Sequence, residues 1–344
     1  MPALTSGKVL VTGANGYVAA WVIKDLLENG YAVRGTVREE SKATYLREYF
    51  KAFGEKLQIV IVPDITKDGA FDAHVADVDA IAHIASPVLF SDGEPSEVIG
   101  PAVQGTRTVL ASALLHRARV RRVFVVSSAA ALSSGTEVDP SSWNEFSVKH
   151  CEEKGRDAEP MHKYRASKVL AERSAWEFYE NAKKELGEAL GWDLTVFCPP
   201  FVFGPAVHES PSLETFGSTQ ANWYKQVVKG ATGGEIGKLT KFGFWAVDVR
   251  DLARAFVLGL QKEEAGGERF VITGFPATWQ DFINSARRYS DTIPLGNESY
   301  NPEDVYYPNI YVVEKSIRLL GIRYRTLDEL TRDSVEDFKA RGWL

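Results

Sequence analysis

Two side chains four residues apart carry the most direct chemical signal in this sequence. Tyr164 and Lys168 stand at i and i+4, and on a helix residues so spaced share one face. An ammonium beside a phenol favours its ionised form, which draws a poor general acid or base toward neutral pH. Such a pair alone is common on surface helices. Ser127 and Ser128 add to it, because they close the apolar run that starts at Arg122. At the C-terminal end of a parallel strand, where ligands bind in open α/β sheets, either hydroxyl could hydrogen-bond a carbonyl oxygen.

The third feature is the turn Thr12-Gly13-Ala14-Asn15-Gly16-Tyr17-Val18-Ala19, which follows the run Lys8–Thr12 and opens a helical pattern. Its first glycine permits the tight turn, its second lets the backbone approach a pyrophosphate, and Ala19 lets the helix pack close to the sheet. The helix N-terminus then offers amides and a positive dipole end to phosphates. Sites for NAD place an acidic residue at the end of the second strand; here that strand ends Val37-Arg38, with Lys42 four residues on. A guanidinium at this point suits a 2'-phosphate, so the pattern favours NADP(H). Asp64 could accept from the adenine amino group or could turn the chain before Ile65.

These residues need a scaffold, and the chain alternates accordingly. Strands are expected at Lys8–Thr12, Tyr31–Val37, Leu57–Pro63, Ala80–Ala85, Arg122–Ser127, Leu194–Cys198 and Arg269–Thr273. Helices are expected from Tyr17, over Pro101–His116, Met161–Glu185 and Asp248–Leu260. Strands apolar almost throughout, separated by helices, imply a parallel sheet covered on both faces. The expected fold class is therefore α/β, a Rossmann-type doubly wound parallel sheet with a smaller mixed C-terminal substrate-binding region. Residues 1–204, with about 246–275 folding back, form the dinucleotide-binding domain; residues 205–245 and 276–344 form the substrate-binding region. Phe216, Trp223, Tyr224, Phe242 and Phe244 fall in the latter, and the polar stretch Cys151–Pro160 reads as a lid or a surface loop.

The motifs TGANGYVA (12–19), VRGTVR (33–38), VPDI (62–65), HIASP (83–87), PAVQGT (101–106), VVSSAA (125–130), YRASK (164–168), PPFVFGP (199–205) and VDVRD (247–251) run in this order along the chain. In this the chain resembles the extended short-chain dehydrogenase/reductases, and within them the dihydroflavonol-reductase-like branch that includes fungal and yeast carbonyl (methylglyoxal) reductases. The resemblance implies Ser128, Tyr164 and Lys168 as the catalytic triad, with Lys168 also on the nicotinamide ribose. It implies a cofactor cleft lined by Gly13, Asn15, Gly16, Tyr17, Val18, Arg38, Lys42, Asp64, Ile65, Ala85, Pro200, Phe201 and Val202. For the substrate pocket the expected residues are Val88, Phe90, Leu132, Ser133, Met161, Phe201 and Trp223. Two departures stand out. Gln104 replaces the family's frequent asparagine, lengthening the side chain where a water relay behind the lysine would run. Ser133 replaces an asparagine or aspartate of plant flavonoid reductases, which argues against a dihydroflavonol substrate.

The bulk properties agree with a small-molecule enzyme. The 344 residues carry a net charge of -6 with 44% hydrophobic and 25% charged residues, and no basic block points to nucleic acid. No apolar run approaches the ~20 residues that span a bilayer. Met1–Lys8 does not read as a signal peptide. Cys151 and Cys198 sit in no metal-binding spacing, so no metal is expected, and both read as free thiols of a cytoplasmic protein. His83 reads as a core histidine, Trp143 as packing, and Asp248 and Asp251 as helix-start residues. The resulting expectation is an NADPH-dependent reduction of a ketone or aldehyde by a monomer or homodimer. A hydroxysteroid dehydrogenase, a nucleotide-sugar epimerase and a non-catalytic NADP-sensing regulator share the fold and stand as alternatives.

Overall fold

The structure is a computed structural model, and it describes residues 1–86, 92–132, 137–230 and 238–344. Seven parallel strands form the main sheet: β1 (Lys8–Val11), β2 (Ala32–Val37), β3 (Leu57–Ile61), β4 (Ala80–His83), β5 (Arg122–Val126), β6 (Asp193–Cys198) and, later in the chain, Arg269–Val271. Three short strands form a second sheet: β7 (Phe201–Phe203), β8 (Phe244–Asp248) and β10 (Phe275–Ala277), with Arg269–Val271 numbered β9 between the last two. The main sheet runs β3-β2-β1-β4-β5-β6-β9, so the strand order reverses between β1 and β4. In an open α/β sheet that reversal opens a crevice beyond the carboxyl ends of the strands.

Alternation along each strand divides the core. Val9 and Val11 join one apolar cluster and Leu10 the other, as successive side chains on a strand must. One face is covered by the Tyr17–Glu28 and Val249–Gln261 helices, the other by Pro95–Leu115 and Pro160–Leu186. A third cluster, around Phe203, Trp223, Phe282 and Phe338, lies under the small sheet.

Two expectations need correction. The helix expected from Pro101 starts at Pro95: a capping box of Glu94 and Glu97 opens it, and Pro101 is carried inside it. Cys151–Pro160 is neither lid nor idle loop. Asn144 caps a helix, Glu145–Lys154, that buries Val148 and Cys151 and stops at Gly155, whose φ of 53° favours glycine.

Candidate active site

The carboxyl ends of β1 to β6 open into one cleft of about 1750 Å³. This exceeds what one small ligand needs and leaves room for a dinucleotide and a second molecule. Gly13 turns the chain with φ of 69°, and a Cβ there would lie 3.2 Å from Ala85. Gly16 caps the following helix with no side-chain cap, and its first turn holds no acidic residue. Those amides and the positive helix end therefore face the cleft that Gly13, Asn15, Gly16, Tyr17 and Val18 line. The turn is braced from below. Thr12 Oγ1 accepts from the Ile84 and Ala85 amides, both at 3.0 Å, and its proton points to His83 Nδ1 at 3.0 Å. Burial, then the Lys168 charge, lowers His83 to about 4, so the ring is a neutral core group.

At the far end Arg38 and Lys42 reach the same cleft. Neither neighbouring acid occupies Arg38: Glu40 pairs with Arg47, and Glu39 accepts from Ser41 Oγ at 2.7 Å. Asp64 Oδ1 accepts from Thr66 N at 2.9 Å and Thr66 Oγ1 at 2.6 Å. It thus turns the chain while still lining the cleft. Two cradle glycines, an uncapped helix end and two cations without carboxylate partners among the described residues fit a dinucleotide carrying a 2'-phosphate.

The residues expected to react line the other half. Tyr164 and Lys168 lie one turn apart on the Pro160–Leu186 helix, with Lys168 Nζ 5.9 Å from the Tyr164 ring centre. Lys168 Nζ donates to Ser86 Oγ at 3.0 Å. The two serines after β5 divide their roles as strand alternation requires. Ser127 is buried and donates to Glu172 Oε2 at 2.5 Å. Ser128 lines the cleft, where its Oγ accepts from Ala130 N at 3.1 Å, leaving its proton to donate.

Ile65, Ala85, Pro200, Phe201 and Val202 line the cleft, as do Leu132 and Met161. Val88, Phe90 and Ser133 lie outside the described residues. Trp223 is the exception. It is 2% exposed and packs against Phe282 and Phe338 in the third core cluster, because its helical turn faces inward. Gln104 does not stand behind Lys168; its amide donates to Asp68 at 3.1 Å. Trp143 packs as expected, with the Arg269 guanidinium 3.9 Å from its ring centre. Asp248 caps its helix at Arg250 N and pairs with Arg250, while Asp251 pairs with Arg325.

Several participants escaped the sequence reading. Glu172 is 1% exposed and accepts from Arg269 Nε at 2.5 Å and Nη2 at 3.0 Å. Arg269 also donates to the carbonyls of Pro140 and Ser142. This buried ion pair ties the Pro160–Leu186 helix, the β5 exit, β9 and the 140–143 segment together. Its signal was present, since Glu172 repeats the four-residue spacing beyond Lys168. No such signal marks Asn309 and Tyr311. They reach the cleft because Val138 N donates to Ile310 O at 2.8 Å, Val312 N to Val138 O at 3.1 Å, and Trp245 Nε1 to Asn309 O at 2.8 Å. Near the mouth, the ligand atoms of His150, Glu159 and His162 lie within 4.8 Å of one another. His150 bonds Glu159 at 2.5 Å and His162 bonds Ser147 at 3.0 Å, so each member of the cluster already has a partner.

The chain is similar to several known proteins. The profile of the NAD dependent epimerase/dehydratase family matches residues 9–273. The NADPH-dependent methylglyoxal reductase of Saccharomyces cerevisiae is 32% identical over 346 residues, covering 95% of this chain and 96% of that protein. A ketoreductase of Aspergillus niger is 31% identical over 351 residues, covering 95% and 96%. Among solved structures, the yeast methylglyoxal/isovaleraldehyde reductase complexed with NADPH superimposes with a TM-score of 0.82 at 28% identity, covering 98% of this chain and 100% of that one.

Proposed function

The chain belongs to the NAD-dependent epimerase/dehydratase family of extended short-chain dehydrogenase/reductases, and from that premise we propose that it reduces a ketone or aldehyde with NADPH, Tyr164 supplying the proton. The observation that carries this reading is the convergence of Ser128, Tyr164 and Lys168 on the half of the cleft opposite the cations Arg38 and Lys42. The dinucleotide supplies a hydride for the carbonyl carbon when bound.

The chain's own residues do the rest. Ser128 and Tyr164 hydroxyls donate to the carbonyl oxygen, polarising it and stabilising the negative charge that develops there. The Tyr164 proton passes to that oxygen. Lys168 stabilises the phenolate left behind and, with Ser86, holds the ribose hydroxyls. Arg38 and Lys42 receive the 2'-phosphate, and the Gly13–Val18 turn receives the pyrophosphate. Leu132, Phe146, Met161, Phe201, Trp245 and Tyr311 give the substrate half an apolar wall, which suits a hydrophobic carbonyl compound.

We also place the enzyme in the cytosol as a monomer or homodimer. Both cysteines are buried free thiols, and no described helix is long and apolar enough to cross a membrane. The test is NADPH oxidation against a panel of aldehydes, α-dicarbonyls and aryl ketones, with NADH in parallel. Turnover with NADPH and little with NADH is expected. Cofactor binding without turnover on any carbonyl would move the chain to a non-catalytic role.

A further inference from the structure

We infer that the substrate carries a carboxylate as well as its carbonyl, and that Arg165 receives it; the inference rests on the reductase reading above. Arg165 follows Tyr164 directly, is half-buried, and lines the cleft. Among the described residues no carboxylate pairs with it. Three acids of the neighbouring segments are already engaged elsewhere: Glu145 with Arg173, Glu159 with His150, and Glu94 with Arg156.

Its charge reaches into the substrate half. Burial and then Arg165 lower His162, which lines the same wall. Across the cleft, Tyr311 is raised to about 12 by burial, and Arg165 works in the opposite direction. All three side chains line the one cleft. The described acids that line the cleft, Glu39 and Asp64, both lie beside Arg38 at the dinucleotide end. Among the described residues the substrate half thus holds Arg165 and Lys168 with no acid opposite them, and Lys168 is committed to Ser86 and the ribose. The N-terminal end of the Pro160–Leu186 helix adds positive potential in the same direction.

A neutral aldehyde leaves this guanidinium idle. A carboxylate takes two parallel N–H donors from it, at a strength about twice that of a neutral hydrogen bond. Successive side chains on a helix diverge by roughly 100°. The carboxylate that meets Arg165 and the carbonyl that meets Tyr164 are therefore separated by a few carbons. The aromatic wall leaves room for an apolar group on the carbonyl's other side. The fitted class is an oxo acid with an apolar or aryl end.

The experiment compares 4-oxo-4-phenylbutanoate and 5-oxo-5-phenylpentanoate with their own methyl esters, NADPH being the reductant. It uses the wild-type protein, Arg165→Gln and Arg165→Lys, and NADPH titration by fluorescence confirms that each variant folds. For the wild type, kcat/KM is expected to favour an acid over its ester by roughly ten- to hundredfold, the scale of one charge-assisted contact. Arg165→Gln should collapse that ratio at least tenfold, chiefly through KM, and Arg165→Lys should restore part of it. A wild type that prefers the esters, or an unchanged ratio in Arg165→Gln, overturns the carboxylate while leaving the reductase standing. The same holds if simple aldehydes are reduced and neither acid nor ester is. If no carbonyl compound at all oxidises NADPH, the reductase reading falls, and this one with it.

Discussion

Replacing Glu172 with alanine should cost more than any change of comparable size elsewhere in the catalytic half. The carboxylate is 1% exposed and receives five donors: two from Arg269, one from Ser127 at 2.5 Å, the Trp176 indole at 3.3 Å and the Cys198 thiol at 3.7 Å. Arg269 is itself 7% exposed. Without Glu172 its charge keeps the Pro140 and Ser142 carbonyls and the Trp143 ring but has no counter-ion. Breaking a buried pair from one side costs about 3–5 kcal/mol. For a chain of this size, with unfolding entropy of about 2 cal/mol/K per residue, that is a fall in Tm of roughly 4–7 °C. Glu172→Gln keeps the shape and should lose roughly half as much. Urea unfolding of the cofactor-free protein reads the stability, and NADPH oxidation reads the consequence for the site. Because Ser127, next to Ser128, must then share the single amide oxygen with Arg269, kcat should fall in Glu172→Gln more than NADPH affinity does. A stability loss under about 1 kcal/mol for Glu172→Ala would refute the reasoning, since Arg269 would then be neutralised or solvated by another route.

Three further outcomes follow from the same structure. Arg38→Ala should weaken NADPH by roughly ten- to hundredfold, the scale of a charge-assisted contact, and leave NADH little changed; titration of both cofactors checks it, and equal losses would remove Arg38 from the 2'-phosphate. Stability should fall as pH drops from 7 to 5. Burial holds His83 and His208 at about 4 and lowers His74 and His162 in the same direction, so below 6.5 the unfolded chain takes up at least two protons that the fold refuses. Asp251, raised to about 6 by burial, offsets one of them below pH 6. The net loss is on the order of 2 kcal/mol, read as a lower urea midpoint; a flat or rising midpoint would contradict it. Gly35→Ala should destabilise by roughly 1–3 kcal/mol in urea unfolding, because its Cβ would lie 2.8 Å from Ala14 Cβ and 2.9 Å from Ile59 Cδ1.

The parts of the fold that are periodic or punctuated were legible. The strands of the main sheet are short apolar runs, and the glycine turn sits where the first of them meets a helix, so a parallel sheet with ligands at its carboxyl edge follows from topology rules. The Tyr164–Lys168 face was legible because helical spacing is local. What long-range contact decides was not. Trp223 looked like a pocket aromatic among others, but only packing against Phe282 and Phe338 tells which way it turns. Asn309 and Tyr311 reach the cleft through backbone bonds to Val138 and a Trp245 indole bond, across 64 to about 170 residues, and no spacing announces such contacts. Ser127 and Ser128 were indistinguishable from the residues themselves until Glu172 claimed the first. The start of the Pro95–Leu115 helix was hidden because Pro101 reads as a beginning, whereas the capping box lies a turn and a half earlier.

The most direct test of the account is to compare wild type with Tyr164→Phe for NADPH affinity and for NADPH oxidation with the best carbonyl substrate. NADPH binding should stay near wild type while most turnover is lost, a fall in kcat of roughly 10²–10⁴, as expected when a positioned general acid is removed. Retained turnover in Tyr164→Phe would contradict it, because the proton would then come from elsewhere.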